Sequence, residues 1–240
     1  MKIKLIIIAS LITSAIFAQT TTICNYKILP ISEKYKINDT DDELTKSTIK
    51  MILNAFEIAK GFDYILKFNQ AESSSQIEES IVNESVKSNY LYAIAKALIG
   101  KGIYYQNRKE KLVLHQNELM GELFLIKDTL VNDWQIGKDY KKIGEFMCLK
   151  ATKKCNSCNK IEEVWFAPEI PVPFGPLGYG GLPGLIVEVK NYSSILSLKE
   201  ITYTKKEVKI TRPIKGKKIT KDELDEMTGK IRDNADKMNH

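Results

Sequence analysis

Cys155-Asn156-Ser157-Cys158 is the spacing in this 240-residue sequence that offers the most chemistry. Two thiols three positions apart can close a local disulfide, act as a redox dithiol or hold a metal. A redox dithiol usually opens a helix, whose N-terminus lowers the thiol pKa, and the flanks here read as strands. A metal site would need Cys24 and Cys148 as further ligands, and an oxidising compartment works against it. The pattern therefore favours a structural bridge. With Cys24 and Cys148 the even count reads as two disulfides, with three connectivities open. Covalent haem is excluded, because Asn159 stands where Cys-x-x-Cys-His needs histidine.

The remaining candidates are single side chains. His115 and His240 are the only histidines, so a three-histidine metal site cannot be built. His115 falls mid-strand with no serine or cysteine nucleophile in a recognisable elbow, and reads as an ordinary strand residue. Glu169, between Pro168 and Ile170, is a carboxylate in a rigid loop and a conceivable ligand contact. A general acid needs a second group in reach, and none is apparent. Trp134, Trp165 and Tyr179 read as pocket or core aromatics that line a ligand. No catalytic residue, cofactor or metal ligand is assigned.

The address is written in the first residues. Lys2 and Lys4 precede an apolar run over 5–12 and 15–17, and Ile16-Phe17-Ala18 is a cleavage signal that leaves Gln19 first. The run is too short and too interrupted to span a bilayer. Residues 1–18 are expected to be a cleaved signal peptide, and 19–240 a single domain in the periplasm or against the outer membrane. Loss of the two lysines lowers the net charge from +6 to +4, weak for a nucleic-acid binder. Residues 205–221 concentrate eight basic side chains against Glu207 alone. They read first as a solvated strand edge and second as a peripheral contact for anionic headgroups or an acidic partner.

Thr40 to Glu43 has the spacing of a capping box before a helix that Gly61 stops, and a second helix is expected around 90–98. Tyr64, Leu66 and Phe68 alternate as a half-buried strand, and serine-rich 69–89 reads as a loop. Short strands follow at 103–106, 112–116, 123–127, 142–151 and 161–167, then at 185–191, 194–203 and 206–211, before a helix capped by Thr220. The expected fold is α+β: a curved, half-barrel-like antiparallel meander of seven to ten strands, two N-terminal helices packed on it, and a C-terminal helix.

Residues 168–184 hold five of the seven prolines and five of the thirteen glycines, which fixes a defined irregular path. Gly181, Leu182, Pro183, Gly184, Leu185 and Ile186 follow it as one unbroken apolar turn. With Trp134-Gln135-Ile136, Cys148-Leu149-Lys150-Ala151, Val164 to Pro171 and Gly175-Pro176, this hexapeptide resembles the GLPGLI family of exported Gram-negative proteins. The likeness covers a signature region of 134–191. It implies export and a function generally given as unknown; the Cys-x-x-Cys and the long basic strand and helix over 199–240 depart from the family pattern. A phosphate cradle is disfavoured, because a strand and not a helix follows the glycines.

These observations point to a non-catalytic binding or accessory protein whose sheet forms an apolar groove for a small apolar ligand or an envelope partner. The competing reading is a thiol-redox or metal-binding envelope protein using Cys155 and Cys158.

Overall fold

Along Thr21–Pro30, Cys24, Tyr26 and Ile28 are buried while Asn25, Lys27 and Leu29 are less so, the period-two alternation of a strand half sunk in a core. This strand, β1, belongs to a computed structural model that describes residues 21–78, 89–154, 161–206 and 208–238. It is followed by β2 (Asp63–Phe68), β3 (Glu72–Glu78), β4 (Ile103–Asn107), β5 (Leu112–Leu119), β6 (Glu122–Thr129), β7 (Gln135–Ile143), β8 (Phe146–Lys154), β9 (Ile161–Ala167), β10 (Leu185–Lys190), β11 (Ser194–Thr204) and β12 (Lys217–Thr220). The helices are α1 (Glu43–Ala59), α2 (Tyr90–Ile99) and α3 (Lys221–Met238). All twelve strands form one sheet in the order β12-β6-β5-β4-β3-β2-β1-β11-β10-β9-β8-β7.

The expected architecture is corrected in three respects. The sheet is open, with twelve strands in place of seven to ten, and it is mixed, because β12 runs parallel to β6. The helices are not an N-terminal pair laid on a later meander: β1 precedes α1, and β2 and β3 precede α2. Residues 69–89 are not simply a loop, since 72–78 form β3 between β2 and β4.

The serines explain that last difference. Ser73 and Ser75 are buried, and their hydroxyls are satisfied from neighbouring strands. Ser73 donates to Gln106 Oε1 at 3.2 Å, and Ser75 Oγ lies 3.2 Å from the Tyr64 hydroxyl. A polar composition is compatible with a central strand when each buried hydroxyl finds a partner.

In the expected strand 206–211, residue 207 lies outside the described residues and the others are not in a strand. Residues 208–216 form an irregular strap that crosses β4 and β5 to the far edge of the sheet. Ile210 packs on Tyr105, Leu112, Leu114 and Leu125. Arg212 makes a forked contact to Glu110 at 2.8 and 2.9 Å and lies over the Tyr105 ring. Gln116 donates to the Lys215 carbonyl at 2.7 Å, after which β12 joins β6.

Helix ends follow local chemistry. The α1 cap is Asp42, which accepts from Thr45 N at 2.6 Å, and not Thr40. Thr220 and Glu223 cap α3 reciprocally, at 3.2 Å from Glu223 N and 2.6 Å from Thr220 N. Ala55 and Ala59 of α1 and Tyr92, Ala95 and Ile99 of α2 share one core with Tyr26, Tyr64 and Leu66 of the sheet. Among the described residues no helix is long and apolar enough to cross a membrane.

Candidate functional site

The loop that leads into the hexapeptide is fixed from both sides. Its own backbone closes it: Gly181 N donates to Pro173 O at 3.1 Å, and Ile186 N to Phe174 O at 2.9 Å. Side chains of the sheet then reach it from four strands or their approaches. The buried Tyr26 hydroxyl donates to Ile186 O at 2.7 Å. The Tyr64 hydroxyl accepts from Leu177 N at 3.1 Å. Gln106 donates to Gly178 O at 2.8 Å and to Tyr179 O at 3.2 Å, and Trp134 Nε1 to Gly180 O at 2.8 Å. Burial raises the pKa of both tyrosines, so they remain hydroxyls at any physiological pH.

The glycines are required by this path. Gly181 has φ +86°, and a Cβ there would meet Val131 O at 2.4 Å. Gly184 has no left-handed φ; it is needed because a Cβ would sit 2.4 Å from Ala167 O. Leu182 and Ile186 are buried with Val164, Phe166 and Val189, and Leu185 enters the main core.

Held in this way, Leu177 and Tyr179 form one wall of a cleft of about 740 Å³. The other walls are β4 to β6 through Tyr104, Val113, His115 and Ile126, the end of α2, the 191–193 turn, and the first turn of α3. Lys153 and Glu162 bring in β8 and β9. Strands far apart in the sheet order thus meet across the loop. The volume is that of a small-molecule site. Apolar and charged side chains both line it.

His115 is one of the perturbed groups that line the cleft. Its ring stacks on Tyr104 with centroids 3.8 Å apart and planes within 9°. Nε2 lies 3.0 Å from Lys101 O, and a carbonyl only accepts, so Nε2 carries the proton and Nδ1 is left as an acceptor. Burial lowers its pKa to about 4, with Lys221 acting in the same direction against the Lys101 hydrogen bond. Burial first, then Glu162, raises the pKa of Tyr179, whose hydroxyl donates to Glu162 Oε1 at 3.3 Å.

Of the side chains singled out from sequence as ligand-lining, Tyr179 borders the cleft. Trp134 supports it from behind, 6.2 Å from the Tyr179 ring and under the Lys153 ammonium at 4.8 Å. Trp165 lies elsewhere, beneath Lys141 at 4.3 Å. Glu169 is exposed and accepts from Met147 N at 3.2 Å, a structural role. Tyr104 and Leu177 went unnoticed because nothing in their local sequence separates them from core residues. His115 is indeed a strand residue, with the added feature of a wall in a cleft.

The cysteine expectations divide. Cys155 and Cys158 lie outside the described residues. Cys24 and Cys148 are free, so the second expected bridge is not made by this pair. Burial raises their pKa values to about 12 and about 11, which keeps both as inert thiols. Among the described residues no three His, Cys, Asp or Glu side chains come together as a metal shell requires.

A family model described as a protein of unknown function (Porph_ging) matches residues 153–188, which include β9, the pinned loop and the hexapeptide. No curated protein matches the sequence. Two solved structures of PNGF-II, in the P21 and C2 space groups, share the fold with a TM-score of 0.50 each, at 17% and 16% identity. Each covers 87% of this chain, which spans about a third of theirs, 33% and 32%.

Proposed function

We propose that this chain is an exported envelope protein of the GLPGLI type, acting in the periplasm or at the outer membrane as a non-catalytic binding protein. The observation that carries the binding role is the cleft of about 740 Å³ built around the pinned loop. The five prolines and five glycines of 168–184, with four side chains from the sheet and its approaches, hold one wall of it in place, which is the preorganisation a binding site needs. Two polar side chains of the cleft are held by backbone carbonyls. His115 gives its proton-bearing nitrogen to the Lys101 carbonyl, and Ser193 Oγ donates to the Leu98 carbonyl. A nucleophile with a base in reach does not arise from them.

Export is supported by the charged-then-apolar pattern of residues 1–18, and the family reading by the hexapeptide within the 153–188 match. The test is a fragment screen by ligand-observed NMR on the wild-type chain and on Val113→Trp, which fills the cleft from β5. Hits lost in the variant, with its unfolding midpoint kept, support the reading. Equal hits in both overturn it.

A further inference from the structure

The cleft has an unequal supply of hydrogen-bonding groups. Its donors are largely spent on the protein itself. Lys153 pairs with Glu162 at 3.4 Å, and Lys221 with Asp225 at 2.5 Å. Asn191 donates to Ile99 O at 3.2 Å and accepts from Ser193 N and Ser194 N. Among the described residues Lys154 is the one lining cation without a carboxylate partner.

Its carboxylates are less committed, although Asp128 accepts from Thr129 N at 2.7 Å. Asp128, Asp133 and Asp222 line the cleft and form no ion pair among the described residues. His115 contributes Nδ1 as a bare acceptor. Tyr104 is half-buried under His115, and its hydroxyl makes no hydrogen bond among the described residues. That hydroxyl belongs to a residue that lines the cleft. Five lining carboxylates face three lysines, although the whole chain carries +6. The local charge therefore opposes that of the protein around it.

We propose that the cleft takes a small organic polycation, an amine-bearing molecule whose N–H groups are received by Asp128, Asp133 and Asp222 at the rim and by Tyr104 and His115 on the floor. An extended organic cation fits better than a metal ion, because no three of these carboxylates converge. The apolar floor, from Leu98, Leu177 and Val113, suits the methylene chain between amines. The inference rests on the binding reading above and adds its selectivity.

Isothermal titration of the mature chain with spermidine at pH 7.5 and 0.15 M salt tests it. Saturable one-to-one binding is expected, weakened at least tenfold in Asp128→Asn/Asp133→Asn, whose exposed side chains leave folding unchanged. Tyr104→Phe is expected to weaken binding severalfold with its thermal midpoint kept. Absent spermidine binding, or binding undiminished in the double variant, overturns the proposal. Citrate and decanoate separate it from the reading beneath: if either binds while spermidine does not, the cleft stands as a binding site with another selectivity. If none of the three binds and Val113→Trp behaves as wild type, both fall.

Discussion

The Tyr26 hydroxyl, in the first strand, donates to the carbonyl of Ile186, the last residue of the hexapeptide, at 2.7 Å in a fully buried position. One hydrogen bond thus ties the centre of the sheet to the loop that walls the cleft. Replacing Tyr26 with Phe removes the donor and leaves a buried hexapeptide carbonyl without it. The expected loss is about 1–3 kcal/mol in urea unfolding. Tyr104→Phe is the contrast: among the described residues its hydroxyl has no hydrogen bond to lose, so a change within about 0.5 kcal/mol is expected. Equal effects in the two variants would contradict this account of the loop.

Gly181 and Gly184 should be intolerant for different reasons. Gly181→Val meets both the left-handed φ and the Val131 carbonyl, while Gly184→Val meets the Ala167 carbonyl alone. Each should lose more than about 3 kcal/mol. Soluble yield and the thermal midpoint are the measurements, and a drop on the order of 10 °C or outright loss of folded protein is the outcome expected.

His115 sets a pH dependence of known sign. Its pKa in the folded protein, about 4, lies below the ordinary value of 6.5, so the unfolded chain binds the proton more readily. The stabilisation from keeping the ring neutral is present in full above about 6.5 and falls as pH drops towards 4. Its size is on the order of 2–3 kcal/mol. Urea unfolding of wild type and His115→Gln at pH 4.5 and 7.5 checks this: the difference between the two proteins should be larger at pH 7.5.

Removal of residues 205–240 takes away the strap, β12 and α3. Ile210 then no longer covers Tyr105, Leu112, Leu114 and Leu125, and β6 becomes a bare edge. The truncated chain should bind the dye ANS and self-associate in gel filtration at concentrations where the full chain does not.

The mature N-terminus is expected at or near Gln19 by intact mass of protein recovered from the periplasm. Full-length chain in the inner membrane would mean that the first segment anchors.

What could be read from sequence was local. Ile161–Ala167 appears as a strand from its own residues, and the Thr220–Glu223 cap lies within four positions. The hexapeptide announces itself because glycine and proline restrict the backbone wherever they occur. β3 was hidden because the partners of Ser73 and Ser75 are Gln106 and Tyr64, 33 and 11 residues away. The cleft was hidden more deeply. Tyr104, His115, Tyr179 and Asp222 look unrelated along the chain, and only the sheet order and the strap bring them to one place. The strap itself defeats local reading, since its lysines resemble an edge strand while Ile210 and Arg212 dock it across two others.

β1 lies in the middle of the sheet, with β2 on one side and β11 on the other, and its pairs with β11 join residues such as Thr21 and Thr204. During synthesis the earliest strand must therefore wait for one of the last. Until about residue 204 has emerged, Tyr26 has no far neighbour and the sheet is two unjoined halves. Closing so long a loop is slow. A chain built in this order completes the centre of its sheet only when nearly all of it has been made.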